Sequence, residues 1–292
     1  MSDRIAAAEQ IIAEDVASVR EVCDYLSIGR ADLYKQRSLG VANKPQVFGS
    51  LTPLVIDIFW RHRRRYGTRR IVDELKDQGI PAARRTVAKI LKTQGLRAIQ
   101  PKSFQPRTTE SRHRLGYNPN LLLEEFTLHE INQLWVADIT YVPLVGKRFA
   151  YLAMVMDRFS RRLIGWRFEL SMTEELVLGA LKDGVRIRRP PPGLIHHSDR
   201  GGQYAGKRFR ATLRRSSIRQ SMSRADDCYD NAFMESCFGT IKTELEMTEY
   251  ENKEKATGEL AEYFRYYNCD RKHSSLGYQT PLQFENNQPG PK

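Results

Sequence analysis

The first part of the chain carries apolar residues at helical spacing. Between residues 16 and 37 they recur at i, i+3, i+4 and i+7 from Val19 to Leu26, and a Ser-Ile-Gly turn at 27–29 interrupts the pattern. This predicts two short helices around a tight turn, either a small helix-turn-helix or a plain helical hairpin. Residues 1–50 are therefore predicted to form an N-terminal helical region that ends in a linker from residue 38 onwards.

Residues 51–97 predict three further helices. Pro53 suits the first turn of a helix that runs to about Arg65, and Thr68 can cap the second helix. The third helix begins near Ala83 and ends at Gly95. A short basic helix that follows a turn is typical of a recognition helix in the major groove. The segment is predicted to be a helix-turn-helix DNA-binding domain, with a plain three-helix bundle as the alternative.

From residue 131 the hydrophobic period changes to that of strands. A hairpin turn at 157–160 joins two of them, and Ser171 with Glu174 predicts a capping box at the start of a helix. The predicted strands are 135–144, 147–157, 161–170, 194–199 and 218–222, and the predicted helices are 171–189, one around Phe209 and Leu213, 230–245 and 252–267. This order predicts an α/β domain with a mixed sheet over residues 129–285. Residues 98–128 are predicted to be a basic connector, and 286–292 a disordered tail.

The charge of the chain narrows the class of partner. Its 292 residues have a net charge of +12, of which residues 51–100 contribute +8 through 12 Lys/Arg against 4 Asp/Glu. A basic density of this kind favours a nucleic acid, although a solvated basic surface is the alternative. The predicted DNA contacts in the second helical segment are Arg69, Arg70, Arg84, Arg85, Thr86 and Lys89, and those in the connector are Lys102, Arg107, Arg112 and Arg114.

Other features of the sequence bear on its location. No run of 18 apolar residues predicts a transmembrane helix, and the acidic N-terminus does not have the pattern of a signal peptide. The four cysteines show no CxxC spacing. A reduced cytoplasmic compartment, in association with the nucleoid, is therefore predicted, and no membrane partner is expected.

Three carboxylates are candidates for metal chemistry. Asp138 lies in an apolar strand, Asp199 ends a strand at a Gly-Gly turn, and Glu235 lies on a helix. Taken singly, each has an ordinary explanation as a paired, turn-capping or solvated acid. Phosphoryl transfer on DNA with two Mg²⁺ ions, however, requires carboxylates from separate segments to meet at one point. The first two carboxylates have 60 residues between them, and the second and third have 35.

The motifs around these carboxylates resemble those of one family. W-x-x-D-I-T-Y surrounds Asp138, H-S-D-R-G-x-Q-Y surrounds Asp199, and D-N-x-x-x-E-S-x-F-x-x-x-K surrounds Glu235. Y-G-x-R-R-I precedes them at 66–71, and Y-Y-N-x-x-R-x-H-S-S-L-G-Y-x-T-P follows at 266–281. The set resembles the DDE transposase and retroviral-integrase superfamily, and more closely the IS-three family of insertion-sequence transposases. The likeness covers residues 53–284.

The resemblance implies a ribonuclease H-like catalytic core and a role for each site residue. Asp138, Asp199 and Glu235 would bind two Mg²⁺ ions, with Mn²⁺ as a substitute. Lys242 is seven residues after Glu235 and on the same helix face, and would contact DNA beside the site. The implied protein is a transposase that binds the terminal inverted repeats of an insertion sequence, cleaves DNA strands and joins them to target DNA as a homomultimer.

The sequence also departs from parts of this superfamily. It has no His-His-Cys-Cys spacing like that of the zinc module of retroviral integrases, and no leucine heptads. It therefore resembles a second-reading-frame product, for which a companion first-frame protein is a predicted partner. Two alternatives differ in activity: a helix-turn-helix regulator derived from an inactive transposase, and a ribonuclease H-like nuclease that cuts without joining.

Several residues near the motifs receive secondary predictions. His196 and His197 are predicted to pack at a strand end, and Arg200 and Tyr204 to contact a splayed DNA strand. Arg271 and His273 either contact the DNA backbone or brace the core. The remaining acids are Asp157, predicted in the hairpin turn, Asp230, predicted as a helix N-cap, and Asp226 and Asp227, which are near the site.

Overall fold

The computed structural model describes residues 2–14, 17–34, 45–100, 116–122, 127–146, 148–224, 232–247 and 249–288. The chain divides into two compact units, Met1–Arg97 and Ala98–Lys292. Among the helices in these ranges, none combines the length and the apolar character that crossing a membrane requires.

The N-terminal helices of the first unit enclose a small core. Helix α1 is Ser2–Ala13, α2 is Val19–Tyr25, and residues 30–34 are also helical. Ser18 begins α2 with a capping box that involves Glu21. The buried apolar residues are Ile5, Ala8, Val22, Cys23, Ile28 and Leu33. The predicted pair of short helices is confirmed as far as residue 34, whereas α1 was not predicted and residues 35–44 lie outside the described ranges.

Three helices follow in the same unit and pack against one another. Helix α3 is Pro45–Arg61, α4 is Thr68–Asp77 and α5 is Arg84–Thr93. The predicted helix start at Pro53 is wrong, because this proline lies inside α3. Leu51 and Val55 are both buried, so the apolar stripe extends across the proline, and its packing offsets the hydrogen bond that the proline removes.

The turn between α3 and α4 explains two further differences from the prediction. Helix α3 ends at Arg61 rather than Arg65, because Arg63 and Arg64 adopt left-handed conformations with φ of 50° and 63°. Gly67 is the N-cap of α4 and no side chain caps this helix, so the predicted cap by Thr68 is wrong.

The second unit is built on a five-stranded sheet. The strands are β1 Leu134–Leu144, β2 Arg148–Asp157, β3 Leu163–Glu169, β4 Ile195–Ser198 and β5 Arg219–Met222. Their order is β3-β2-β1-β4-β5, in which the β1–β2 and β2–β3 pairs are antiparallel and the β1–β4 and β4–β5 pairs are parallel. The predicted α/β, ribonuclease H-like mixed sheet is confirmed.

Helices cover both faces of this sheet. Helices α6 (Glu174–Arg188) and α7 (Lys207–Arg215) pack on one face, and α8 (Ala232–Glu244) and α9 (Lys253–Cys269) on the other. Side chains alternate between the two cores along β1, where Val136 faces α8 and α9 and Trp135 faces α6 and α7. The approach of α6 to β3 is close at Gly165, because a β-carbon there would overlap the carbonyl oxygen of Ala180.

Two helix ends in this unit differ from the predictions. The N-cap of α6 is Thr173, and Glu174 accepts a hydrogen bond from the Phe209 nitrogen at 2.8 Å, so the predicted Ser171–Glu174 capping box is wrong. After α9 the chain forms a 3₁₀ turn, Ser274–Leu276, and an unpredicted helix α10, Pro281–Asn286. Thr280 forms a capping box with Gln283 at its start. Asn286, placed in the predicted tail, is the last residue of this helix.

Part of the predicted connector packs on the sheet. The Asn118 amide donates to Gln220 at 2.7 Å, and the Leu121 nitrogen donates to Ser221 Oγ at 3.0 Å. Residues 116–122 therefore lie beside β5. The basic residues predicted to follow DNA, Lys102, Arg107, Arg112 and Arg114, lie outside the described ranges.

Candidate active site and DNA-binding surface

Asp138 lies on β1 just beyond the residues that pair with β4. That pairing covers Leu134 to Val136, whereas β2 continues along β1 and places Met154 opposite Asp138. The Asp138 carboxylate is half-buried and accepts a hydrogen bond from the Ile139 nitrogen at 2.7 Å. At Asp138, β1 is therefore paired with β2 on one side, while its pairing with β4 on the other side has already ended.

Asp199 follows the last residue of β4. In the parallel β1–β4 pair Val136 lies opposite His197, so the register brings Asp199 level with Asp138 in the middle of β1. The carboxyl end of a strand is where functional residues of open α/β sheets usually lie. The Asp199 carboxylate accepts a hydrogen bond from the Gly201 nitrogen at 2.9 Å. A β-carbon at Gly201 would lie 3.0 Å from the same oxygen, so the glycine permits this close turn.

Helix α8 supplies the third carboxylate and a lysine. Glu235 is exposed in its first turn, while Cys237 and Ile241 on another face pack on the sheet. The half-buried Lys242 holds its Nζ 4.6 Å from the centre of the Tyr141 ring, a cation–π contact. Tyr141 had no predicted role, although it is the last residue of the W-x-x-D-I-T-Y motif.

The pKa of Asp138 is affected by the charges of the other three groups. Burial raises the pKa of Asp138 well above its ordinary value, and the charges of Asp199 and Glu235 raise it further. The hydrogen bond from Ile139 and the charge of Lys242 oppose the rise. Burial lowers the pKa of Lys242, and Asp138 opposes that shift. The predicted carboxylates and the lysine are thus brought into one electrostatic cluster.

The chemistry of this cluster fits a divalent cation. In the described ranges, no three His, Cys, Asp or Glu side chains already form a group that could hold a metal ion. The carboxylates nevertheless supply the hard oxygen donors that Mg²⁺ prefers. A bound cation would offset both the cost of burying the charged Asp138 carboxylate and the smaller repulsion by Asp199 and Glu235. Asp138, Asp199 and the exposed Glu235 are the residues that could hold it.

The two histidines before Asp199 are fully buried, and their predicted packing role is confirmed. The His196 ring packs edge-on to Phe209, and burial lowers its pKa to about 3. His197 shares a hydrogen bond with Ser221 at 2.8 Å. Tyr204 is also buried, so the predicted contact of this residue with DNA is wrong.

Arg200 and Asp157 have structural partners. Arg200 donates to the Ser223 carbonyl at 2.7 Å and lies over the Tyr117 ring. Asp157 is buried and accepts hydrogen bonds from the Asn132, Phe159 and Ser160 nitrogens at 2.7, 3.0 and 3.1 Å. Its predicted role in the hairpin turn is confirmed. The other acids named near the site, Asp226, Asp227 and Asp230, lie outside the described ranges.

Arg271 and His273 of the 266–281 motif were predicted either to contact the DNA backbone or to brace the core, and the structure favours the second role. Arg271 and His273 are only 4% and 5% exposed. The Arg271 guanidinium binds the carboxylate of Glu244 on α8, with Nη2 at 2.7 Å from Oε1. Glu244 was not predicted, because a glutamate at the end of a helix has no sequence signal that distinguishes it from a solvated one.

The basic residues predicted to bind DNA lie on and around α5. Arg69, Arg84, Arg85 and Lys89 are exposed, and Arg70 and Thr86 are half-buried. Arg70 lies over the Tyr66 ring at 5.3 Å, which gives it a structural role as well. The opposite face of α5 buries Val87, Ile90 and Leu91. This helix therefore presents a cationic outer face above an apolar inner one.

Family models and known proteins resemble both the helical and the sheet-containing segments of this chain. Residues 129–228 and 216–281 match two family models described as integrase core domain, and residues 50–104 match an HTH-like domain. "Transposase InsF for insertion sequence IS3A" of Escherichia coli (strain K12) is 37% identical over 275 residues, which are 92% of this chain and 94% of that protein. "Insertion element IS600 uncharacterized 31 kDa protein" of Shigella sonnei is 42% identical over 226 residues, 77% of this chain and 82% of that protein. A chain of the simian T-cell lymphotropic virus intasome aligns with a TM-score of 0.47 at 16% identity, over 82% of this chain and 76% of that one.

An integrase-type catalytic core preceded by a helix-turn-helix domain defines a DNA transposase of the DDE type. The identity to InsF extends over nearly all of both chains, through the DNA-binding and the catalytic segments. The chain belongs to the IS3 family of insertion-sequence transposases.

Proposed function

We propose that this transposase binds the terminal inverted repeats of its insertion sequence, cleaves DNA strands there and joins them to target DNA. One observation supports the proposal: Asp138 lies level with Asp199 in the parallel β1–β4 pair, and the charges of Asp199, Glu235 and Lys242 all act on the Asp138 carboxylate. The three carboxylates come from the middle of β1, the end of β4 and a helix, and so from separate segments, as a phosphoryl-transfer site requires.

The residues of the site have distinct roles in this proposal. Asp138, Asp199 and Glu235 hold two Mg²⁺ ions, which Mn²⁺ can replace. When bound, the ions activate the attacking water or 3′-hydroxyl and stabilise the charge of the transition state. The Gly201 nitrogen orients the Asp199 carboxylate. Lys242, held over the Tyr141 ring, binds a DNA phosphate next to the scissile one.

The first unit supplies most of the affinity for DNA in this proposal. The exposed residues Arg69, Arg84, Arg85 and Lys89 contact the repeat, and Arg70 and Thr86 support the same surface. Since two element ends must be processed together, the transposase acts as a homomultimer on DNA, with a companion first-frame protein as a further partner. Its place of action is the nucleoid, where the DNA is.

The test is a strand-transfer assay with a labelled element end, Mg²⁺ and three variants, Asp138→Asn, Asp199→Asn and Glu235→Gln. Each variant should lower both cleavage and joining by at least about 1,000-fold, on the order of 4 kcal/mol of transition-state stabilisation. Binding of the element end should stay unchanged. Glu254→Gln, an exposed acid in the first turn of α9, is the matched control and should retain activity.

The remaining outcomes of this assay are informative. Joining that survives in all three variants would rule the carboxylates out as the catalytic set. Cleavage by the unaltered protein without joining would show a nuclease, and binding without cleavage would show a regulator.

A further inference from the structure

The orientation of α8 decides where Glu235 and Lys242 point. These two residues lie two helical turns apart on one face, whereas Glu244, nine residues after Glu235, lies on the opposite face. A helix with side chains is 10–12 Å wide, so a rotation of about 20° would displace a carboxylate by about 2 Å. Displacements of this size cost catalysis heavily.

Glu244 is held by a buried network from α9 and the segment that follows it. Arg271 Nε lies 3.0 and 2.9 Å from the two oxygens of Glu244, and the Tyr263 hydroxyl donates to Oε2 at 3.0 Å. The side chains of Arg271 and Glu244 are only 5% and 8% exposed. A bidentate ion pair is directional, unlike the apolar contacts of Cys237 and Ile241 with the sheet.

The residue that anchors this network to the sheet lies three positions before Arg271. The Asn268 side chain accepts a hydrogen bond from the Leu163 nitrogen at 2.9 Å and donates to the Leu163 carbonyl at 2.8 Å. Asn268 thereby ties the end of α9 to the start of β3. Arg271 therefore connects α8 to a fixed point of the fold.

The other end of α8 has a second support from the β2–β3 turn. The Phe233 ring, two residues before Glu235, lies beneath Arg158 at 4.1 Å and Arg161 at 4.8 Å. The helix is thus held by a cation–π stack at one end and an ion pair at the other. Of the two, only the ion pair has fixed donor and acceptor directions.

We infer that Arg271 is a positioning residue for strand transfer. Its ion pair with Glu244 fixes the rotation of α8 and holds Glu235 and Lys242 towards Asp138. The inference rests on the proposed function, in which Glu235 is a metal ligand. It gives the 266–281 motif a role in the reaction through the buried Arg271.

The experiment compares variants of the full chain by Mn²⁺ binding, followed through the electron paramagnetic resonance of free Mn²⁺, and by strand-transfer kinetics. Glu244→Gln and Arg271→Lys should each raise the Mn²⁺ concentration at half saturation by about 10-fold or more and lower the rate of joining at saturating DNA to a similar degree. Affinity for the element end should not change.

Glu285→Gln is the matched control. The Glu285 side chain is 6% exposed and accepts hydrogen bonds from Arg162 at 2.5 Å and Ser160 at 2.6 Å. It lies on α10, and its partners in the described ranges are not on α8. It should lower the Tm as the Glu244 variant does, and leave Mn²⁺ binding unchanged. If the Glu244 and Glu285 variants lose Tm equally and both bind Mn²⁺ normally, the pair is only structural and the inference is overturned.

A double variant, Glu244→Met with Arg271→Met, separates positioning from stability, because apolar replacement of a buried ion pair is often neutral for folding. The double variant should fold normally but bind Mn²⁺ more weakly than the unaltered protein. Mn²⁺ binding as strong as that of the unaltered protein would overturn the inference. Glu235→Gln keeps the two proposals apart. If Glu235→Gln does not weaken Mn²⁺ binding, the proposed function is wrong. If Glu235→Gln does weaken Mn²⁺ binding but Glu244→Gln behaves like Glu285→Gln, only the positioning role of Arg271 is wrong.

Discussion

His196 shows how burial sets the chemistry of single residues next to the site. It lies on the strand that leads to Asp199, its ring is enclosed by Tyr204 and Phe209, and neither ring nitrogen has a hydrogen-bond partner in the described ranges. An imidazole in these surroundings stays neutral and acts as a packing group. Its burial is why the pKa falls to about 3.

This buried histidine should make stability depend on pH. The unfolded chain protonates His196 near pH 6.5, whereas the folded chain does so only near pH 3. The contribution of the neutral His196 to the free energy of unfolding is therefore fully present above pH 6.5. As the pH is lowered through that value, the free energy of unfolding falls, by about 2 kcal/mol between pH 7 and pH 5. Urea unfolding at the two pH values should show this loss, and His196→Phe should reduce it.

The exposed His129 provides the comparison, since His129→Gln should keep the pH dependence of the unaltered protein. An undiminished loss of stability in His196→Phe would mean that other groups are responsible.

Individual residues also show what the sequence could predict. The three carboxylates and Lys242 could be named because each lies in a motif of recognisable spacing. The exposed basic residues of α5 followed from the periodicity of Val87, Ile90 and Leu91. Glu244 could not be predicted, because its partner is 27 residues away and the pairing depends on how α9 packs.

At the scale of elements, most helices were predicted because one face of each is buried, and the strands because they are short apolar runs that are buried on both faces of the sheet. The helix ends were harder. Pro53 and Ser171 both have strong local signals for helix starts. Tertiary packing, however, lets α3 begin before Pro53. Glu174 accepts a hydrogen bond from Phe209 on α7 instead of pairing with Ser171. Helix α10 was missed although Thr280, Pro281 and Gln283 form a helix-start signal, because its six residues are short for a helix.

The close packing of α6 on β3 should make Gly165 intolerant of a side chain. Gly165→Ala would place a β-carbon against the Ala180 carbonyl and 3.0 Å from the Gly184 nitrogen, and neither backbone group can move without separating helix from sheet. We expect a loss of about 1–3 kcal/mol in the free energy of unfolding, measured with urea.

Gly258 is the control for this substitution. It is exposed within α9, and a β-carbon there would meet nothing within 4 Å. Gly258→Ala should stabilise the chain by about 0.5–1 kcal/mol, as alanine does at exposed helix positions. Equal effects of the two substitutions would show that the β3–α6 spacing is adaptable.

At the scale of the whole molecule, most of the excess positive charge lies in the first unit and the candidate catalytic carboxylates lie in the second. Residues 51–100 contribute +8 of the net +12, whereas the carboxylate cluster belongs to the second unit. The division could be predicted from the sequence because charge and hydrophobic period both change along the chain. The packing of 116–122 beside β5 could not, since these polar residues have no periodic signal.

This division predicts separate effects on binding and reaction. Arg85→Ala should weaken binding to the element end and reduce the slope of log K against log salt by about 1, because one phosphate contact is lost. Fluorescence anisotropy at several salt concentrations would measure it. Lys255→Ala, an exposed cation on α9, should leave the slope unchanged, and an unchanged slope for Arg85→Ala as well would remove α5 from the DNA contacts.

The long-range ties of the second unit have a consequence during synthesis. Ser160 and Arg162 bond to Glu285, and Leu163 bonds to Asn268, so the β2–β3 turn and the start of the edge strand β3 are held by residues more than 100 positions later. The first unit is compact by itself and ends at Arg97. Because domains generally fold in the order in which they leave the ribosome, at about 5–20 residues per second, we expect a nascent chain to hold a finished DNA-binding unit for on the order of ten seconds before its catalytic unit can close. During that interval the chain could engage the DNA near its own gene while it is still unable to cut.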